Sequence, residues 1–214
     1  MTEAFRNLSR PDIRRPFILI TINMFIVTFA GDLAVIYYSV DIFQNAGVSI
    51  DKYLASIIVA AIRVTGGVVA IFLIQRLARV RLAMVSITLM SVSMAVLGGV
   101  LYIKTDSVNS PVLQVIPVIC LVVYMFCFGA GVGPLQWVFL GELLPREYKV
   151  LAGVIIVLKD IPIFIVTKTF PTLLLTLSPP GTYWLFAGIC LASNIFYIFF
   201  MPETMPRNGY ERID

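Results

Sequence analysis

Apolar runs recur six times along the chain, and polar residues collect between them. Each run holds about 20 residues, which is the length that an α-helix needs to cross the hydrocarbon core of a bilayer. The runs predict spans at residues 17–39, 54–74, 82–103, 112–140, 151–175 and 183–201. We therefore expect an all-α integral membrane protein whose six transmembrane helices form one bundle at 17–201.

The basic residues between the runs are distributed unevenly. Alternate polar segments carry Arg14, Arg15, Arg76, Arg79, Arg81, Arg146, Lys149, Arg207 and Arg212. The intervening segments offer only Lys52 and Lys104. Because arginine and lysine concentrate in cytoplasmic loops, we expect both termini to be cytoplasmic. Residues 1–16 are then a cytoplasmic lead-in and residues 202–214 a cytoplasmic tail.

Composition narrows the possible functions. Hydrophobic residues make up 59% of the chain and charged residues 13%. The net charge of +4 does not indicate nucleic acid, because the basic residues sit in short loops between the runs. The sequence has no histidine, and Cys120, Cys127 and Cys190 lie inside apolar runs, where thiols pack as small hydrophobes. We expect no metal site, no cofactor and no enzymatic activity.

The fourth run contains the stretch GAGVGPLQWVFLGELLP, which begins at Gly129. Its first three glycines are spaced two residues apart and let helix backbones approach closely. Pro134 removes one backbone hydrogen bond and predicts a bend. Glu142 lies just before a basic turn and marks where the helix leaves the lipid. A bending membrane helix with a polar end is typical of a transporter.

This stretch resembles the tenth-helix signature of the sugar porters, a branch of the major facilitator superfamily. The matching residues are Gly129, Gly131, Gly133, Pro134, Trp137, Glu142 and Pro145. The sequence is most similar in character to the insect-type trehalose and glucose facilitators, and Pro202-Glu203-Thr204 resembles the family's motif after its last helix. Because the family uses twelve spans, the resemblance implies that this chain corresponds to the C-terminal half of a major facilitator fold.

The resemblance implies transport of a small solute across the lipid bilayer, most simply the plasma membrane, by alternating access. Such a mechanism needs a partner, either a second six-helix half or a homodimer partner. The alternative is a truncated or degenerate transporter-derived protein that acts as a non-transporting interaction or structural bundle. Uptake of solute separates these two hypotheses.

By the same resemblance, six residues are candidates to line a substrate cavity: Thr28, Asp32, Arg63, Trp137, Lys159 and Asp160. The family's sugar-binding amides are replaced at Val27, Thr28, Leu33, Arg63 and Lys159. A sugar hydroxyl that faces an apolar replacement loses about 1–3 kcal/mol. We predict that Asp32 pairs across the cavity with Arg63 or Lys159. The pair is either a static bridge or one that opens for an anionic or zwitterionic solute or for a proton.

The remaining candidates are mechanical. The resemblance assigns bends to Gly31, Gly133 and Pro134, and an extracellular gate to Tyr37 and Tyr38, which equally fit interfacial anchors. It also assigns a cytoplasmic lock to Arg76, Arg79 and Glu142. The family's loop pattern loses its acid, its glycine and its third arginine at Gln75, Ala78 and Val80. The arginines therefore serve either as part of a loosened lock or mainly as topology signals.

Overall fold

The computed structural model describes residues 11–39, 42, 51–105, 111–144 and 148–204. Regular structure within these residues is helical throughout. In chain order the helices are α1 (Pro11–Phe29), α2 (Asp32–Tyr37), α3 (Lys52–Arg76), α4 (Arg79–Thr105), α5 (Pro111–Ala130), α6 (Val132–Leu143), α7 (Lys149–Thr176) and α8 (Ser178–Phe200). Four residues named from the sequence lie outside the described residues: Pro145, Arg146, Arg207 and Arg212.

The described helices form six segments that are long and apolar enough to cross a membrane. Helices α1 and α2 make the first segment, and α5 and α6 make the fourth, each with an interruption. Among the described residues, helix α1 starts at Pro11 and therefore includes residues 11–16, which the sequence placed in the lead-in. The predicted fold class, an all-α bundle of six transmembrane helices, is confirmed.

The bundle has inner and outer helices. Helix α8 packs along α4, α3 along α5, and α1 along both α7 and α6. Only 17% of the α3 span and 22% of the α7 span are buried, against 61% of the span built from α5 and α6. The outer helices therefore present apolar side chains, such as Val64 and Phe164, to the surroundings of the bundle.

The first interruption, between α1 and α2, is built around Gly31. Its φ of 91° lies in the left-handed region, which side chains other than hydrogen rarely allow. A Cβ at Gly31 would also lie 2.7 Å from the Phe186 ring. Tyr124 from α5 donates its hydroxyl to the carbonyl oxygen of Ala30 at 2.7 Å, so a backbone acceptor freed by the break is satisfied. The break predicted near Gly31 is therefore present.

The second interruption lies at Gly131, three residues before the bend predicted at Pro134. Pro134 instead occupies the first turn of α6, where its missing N–H has no helical partner to lose. Ser86 from α4 joins the two sides of the break. Its hydroxyl donates to the carbonyl of Cys127 at 2.7 Å and accepts from the N–H of Val132 at 3.3 Å. A Cβ at Gly131 would collide with Ser86, so only glycine admits this contact.

Candidate functional site

A cavity of about 320 Å³ lies where the two interrupted spans face α3 and α7. It is lined by Val27, Thr28, Asp32, Leu33, Arg63, Gly67, Phe128, Gly129, Gly133, Pro134, Gln136, Trp137 and Lys159. Residues that flank both breaks line it, namely Thr28 and Asp32 at the first break and Gly129 and Gly133 at the second. The cavity brings together Thr28, Asp32, Arg63, Trp137 and Lys159, which are five of the six residues proposed from the sequence.

An ion pair lies in this cavity. Arg63 on α3 holds the carboxylate of Asp32 at 3.3 Å. Asp32 is the first residue of α2, and the turn at Gly31 brings it to the cavity wall. The aspartate side chain is 8% exposed and the arginine side chain 34%. The guanidinium also lies 5.0 Å from the centre of the Phe128 ring, a distance at which the ring face attracts a cation.

Lys159 on α7 also lines the cavity. Its ammonium nitrogen lies 4.7 Å from the centre of the Trp137 ring on α6. The ion pairs found among the described residues join Asp32 to Arg63 and Glu142 to Arg79, and neither includes Lys159. The ionisable groups on the described cavity wall are thus one carboxylate and two cations.

Gln136 is a lining residue that the sequence argument missed. It is 4% exposed, and its amide oxygen has no hydrogen-bond partner in the described part of the chain. An amide inside an apolar run, directly before Trp137, was the available signal. A buried polar atom without a partner carries a desolvation penalty, so Gln136 provides an acceptor that a bound molecule can use.

Asp160, the sixth predicted cavity residue, lies elsewhere. It lines a separate pocket with Tyr37, Tyr38 and Lys168 among others. Successive residues on a helix point about 100° apart, so Asp160 turns away from the cavity that Lys159 faces. Tyr38 stacks on Phe170, with ring centres 5.0 Å apart, while Tyr37 is 62% exposed. The two tyrosines thus differ in their surroundings.

At the end of the bundle where α3 meets α4, Arg79 and Glu142 form an ion pair at 2.8 Å. Glu203, which follows α8, accepts hydrogen bonds from the backbone N–H groups of Arg79 and Val80 at 2.8 and 3.1 Å. Its carboxylate thereby caps the start of α4, which favours negative charge. Arg76, the third residue proposed for this cluster, is exposed at the end of α3.

A comparison with known protein families shows where this chain belongs. The family profile described as "Sugar (and other) transporter" matches residues 2–211. This chain belongs to that family.

Relatives of this sugar-porter chain include facilitated trehalose transporters from insects. The Tret1-2 homolog of Drosophila sechellia is 37% identical over 182 residues, covering 85% of this chain and 37% of the relative. Tret1 of Bombyx mori is 36% identical over 191 residues, covering 88% of this chain and 38% of the relative. The chain thus spans less than two fifths of the length of these relatives. They are transporters and not enzymes, as predicted.

Solved structures of the proton:xylose symporter XylE share the fold. The complex of XylE with 6-bromo-6-deoxy-D-glucose superposes with a TM-score of 0.76 at 24% identity, over 94% of this chain and 44% of XylE. An inward-open form of XylE from E. coli gives a TM-score of 0.75 at 22% identity, over 97% of this chain and 43% of XylE. The sugar-porter chain therefore has a major facilitator fold and is a multi-pass membrane protein.

Proposed function

We propose that this sugar-porter chain supplies one six-helix half of a transporter that moves a small solute across the membrane by alternating access. The observation that carries the proposal is the cavity at the two interrupted spans, with Asp32, Arg63 and Lys159 in its wall. An ionisable side chain inside a span costs about 2.5–3.5 kcal/mol on insertion scales, and such residues are typical of solute pathways.

In this mechanism a second six-helix half, either another copy of this chain or a separate chain, faces the cavity. The two halves rock about the bound solute, and the interruptions at Gly31 and Gly131 absorb the bending. The Arg79–Glu142 pair opens and closes during the cycle at the cytoplasmic side. Both termini are cytoplasmic, and the plasma membrane is the proposed location. Tyr37 and Tyr38 close the opposite side.

Uptake into proteoliposomes tests the proposal. Monomers and cross-linked dimers of the chain would be reconstituted separately and supplied with radiolabelled trehalose, D-glucose, D-xylose or D-glucuronate. We expect uptake of at least one solute above that of protein-free vesicles from dimers and little from monomers, because a lone half leaves the cavity facing lipid. Uptake by monomers at the rate of dimers contradicts the need for a second half. If dimers take up none of the solutes, the proposal that two copies of this chain form the transporter is rejected.

A non-transporting bundle is the second candidate, and the Asp32–Arg63 pair favours it. An ion pair that stays closed across the cavity fixes the packing of α2 on α3, and Val27 and Leu33 offer a solute no hydrogen bond. In this case the chain is stable and forms its complex, yet no solute crosses the membrane with any partner. Uptake of any solute by the dimers in the same vesicles contradicts this second candidate.

A further inference from the structure

The charges of the cavity wall are unbalanced. Arg63 is engaged by Asp32 at 3.3 Å, which leaves the ammonium of Lys159 beside the Trp137 ring as the second cation. A ring face attracts a cation weakly and does not neutralise it. The described wall therefore carries one net positive charge at a depth where the surroundings are apolar. An anion that enters this cavity balances the charge.

The cavity also presents acceptors for hydroxyl groups. The buried amide oxygen of Gln136 has no partner in the described part of the chain. Thr28 donates its hydroxyl proton to the carbonyl oxygen of Met24 at 2.8 Å, so its hydroxyl oxygen remains available as an acceptor. A molecule that pairs with Lys159 and also satisfies these acceptors needs both a negative group and hydroxyl donors.

We propose that the cavity binds a small hydroxylated carboxylate, such as a sugar acid, in preference to a neutral sugar. The carboxylate contacts Lys159, and hydroxyl groups donate to Gln136 and Thr28. Asp32 keeps Arg63 oriented on the facing wall. The inference names the substrate class of the proposed transporter and so rests on the proposed function, although binding is measured apart from transport.

The other classes of solute fit less well. A neutral sugar brings no negative group to Lys159 and meets Val27 and Leu33, which form no hydrogen bonds. A cationic solute is repelled by the net charge of the wall. The cavity of about 320 Å³ in this half has room for a molecule of monosaccharide size.

Three probes of the same size separate the classes. D-Glucuronate carries a carboxylate, D-glucose is neutral and D-glucosamine is a cation. Equilibrium binding of each radiolabelled probe would be measured on the purified full chain in lipid nanodiscs. We expect D-glucuronate to bind at least about tenfold more tightly than D-glucose, equivalent to about 1.4 kcal/mol, and D-glucosamine to bind more weakly than D-glucose.

Two lysines on α7 provide the matched variants. Lys159→Gln should weaken D-glucuronate binding at least about tenfold, by about 1.4 kcal/mol, and leave D-glucose binding within about twofold. Lys159→Arg keeps the charge and should retain most of the affinity. Lys168→Gln makes the same chemical change on the same helix but outside the cavity, and should bind D-glucuronate as the unaltered chain does.

Equal or tighter binding of D-glucose overturns the proposal, as does full D-glucuronate affinity in Lys159→Gln or an absence of D-glucuronate binding. If Lys159→Gln does not fold, the relative affinities of the three probes and the affinity of Lys159→Arg still test the proposal.

Tight D-glucuronate binding without uptake by any oligomer rejects the transport function and keeps the binding inference. Uptake of neutral sugar that D-glucuronate does not inhibit rejects the inference and keeps transport.

Discussion

Asp32 and Arg63 illustrate how single residues set the character of this bundle. Asp32 directly follows Gly31, whose backbone is left-handed, so it lies at the break in the span. Its carboxylate lines the cavity there. The carboxylate is largely buried, whereas about a third of the arginine side chain remains exposed. The pair is thus intermediate between an exposed and a fully buried ion pair, and its contribution to stability lies between those limits.

Substitution of the pair should reveal coupling. Asp32→Asn leaves Arg63 without its counter-charge and should destabilise the purified chain by about 2 kcal/mol, between the values for exposed and buried pairs. Arg63→Gln should cost less in the Asp32→Asn background than alone, with a coupling of about 1–2 kcal/mol in thermal or denaturant unfolding in detergent. Asp32→Asn combined with Lys168→Gln is the control and should be additive. Additivity of Asp32→Asn with Arg63→Gln contradicts the pair.

At the scale of the elements, the contact between α3 and α5 decides where Arg63 stands. Gly66 on α3 and Gly129 on α5 lie in the crossing of these helices. A Cβ at Gly129 would collide with the carbonyl oxygen of Arg63, and one at Gly66 would lie 2.7 Å from the carbonyl oxygen of Phe126. The two backbones therefore touch, as small residues permit in membrane helices. This contact holds Arg63 over Phe128 and within reach of Asp32.

Enlarging Gly129 should disturb this crossing. Gly129→Ala forces α3 and α5 apart and should destabilise the chain by about 1–3 kcal/mol, as overpacking does. Gly141→Ala is the matched control, because a Cβ at Gly141 meets nothing within 4 Å. It should be neutral or stabilising by up to about 1 kcal/mol, since alanine favours helix over glycine. Unfolding in detergent, followed by size-exclusion chromatography, measures both; equal stability of the two variants contradicts the close crossing.

The whole molecule is a bundle whose outer helices, α3 and α7, flank an open cavity. These helices are the least buried of the six spans, and each contributes a cation to the cavity wall. A bundle of this kind needs cover for its charged face, which is the physical reason to propose a second half. The six spans found among the described residues are an even number, so we expect both termini on the same side of the membrane.

Accessibility of the termini should reveal the orientation. Epitope tags placed before Met1 and after Asp214 should both be hidden in intact cells and become accessible on permeabilisation, because the arginine-rich segments stay in the cytoplasm. A tag inserted after Asn109, between the third and fourth predicted spans, is the control and should be labelled in intact cells. Labelling of either terminal tag without permeabilisation rejects the proposed orientation.

The sequence by itself determined the spans, the family and the first break. Span length and apolar composition are local properties, so the six runs predicted the helical segments to within six residues of their observed ends. Gly31 was also a local signal, because a left-handed turn needs glycine whatever surrounds it. The sequence narrowed the partner of Asp32 to Arg63 or Lys159, since these residues are charged within apolar runs.

Only the tertiary structure decided which groups meet. Asp32 pairs with Arg63 because α3 crosses α5 at two glycines, and Lys159 is left beside Trp137. The second break falls at Gly131 rather than Pro134 because Ser86 of another helix fills that space and binds both freed backbone groups. Gln136 lines the cavity and Asp160 does not, because the rotation of α6 and α7 about their own axes determines which side chains face it. Crossing points and rotations depend on contacts between distant segments, which periodicity along one segment does not encode.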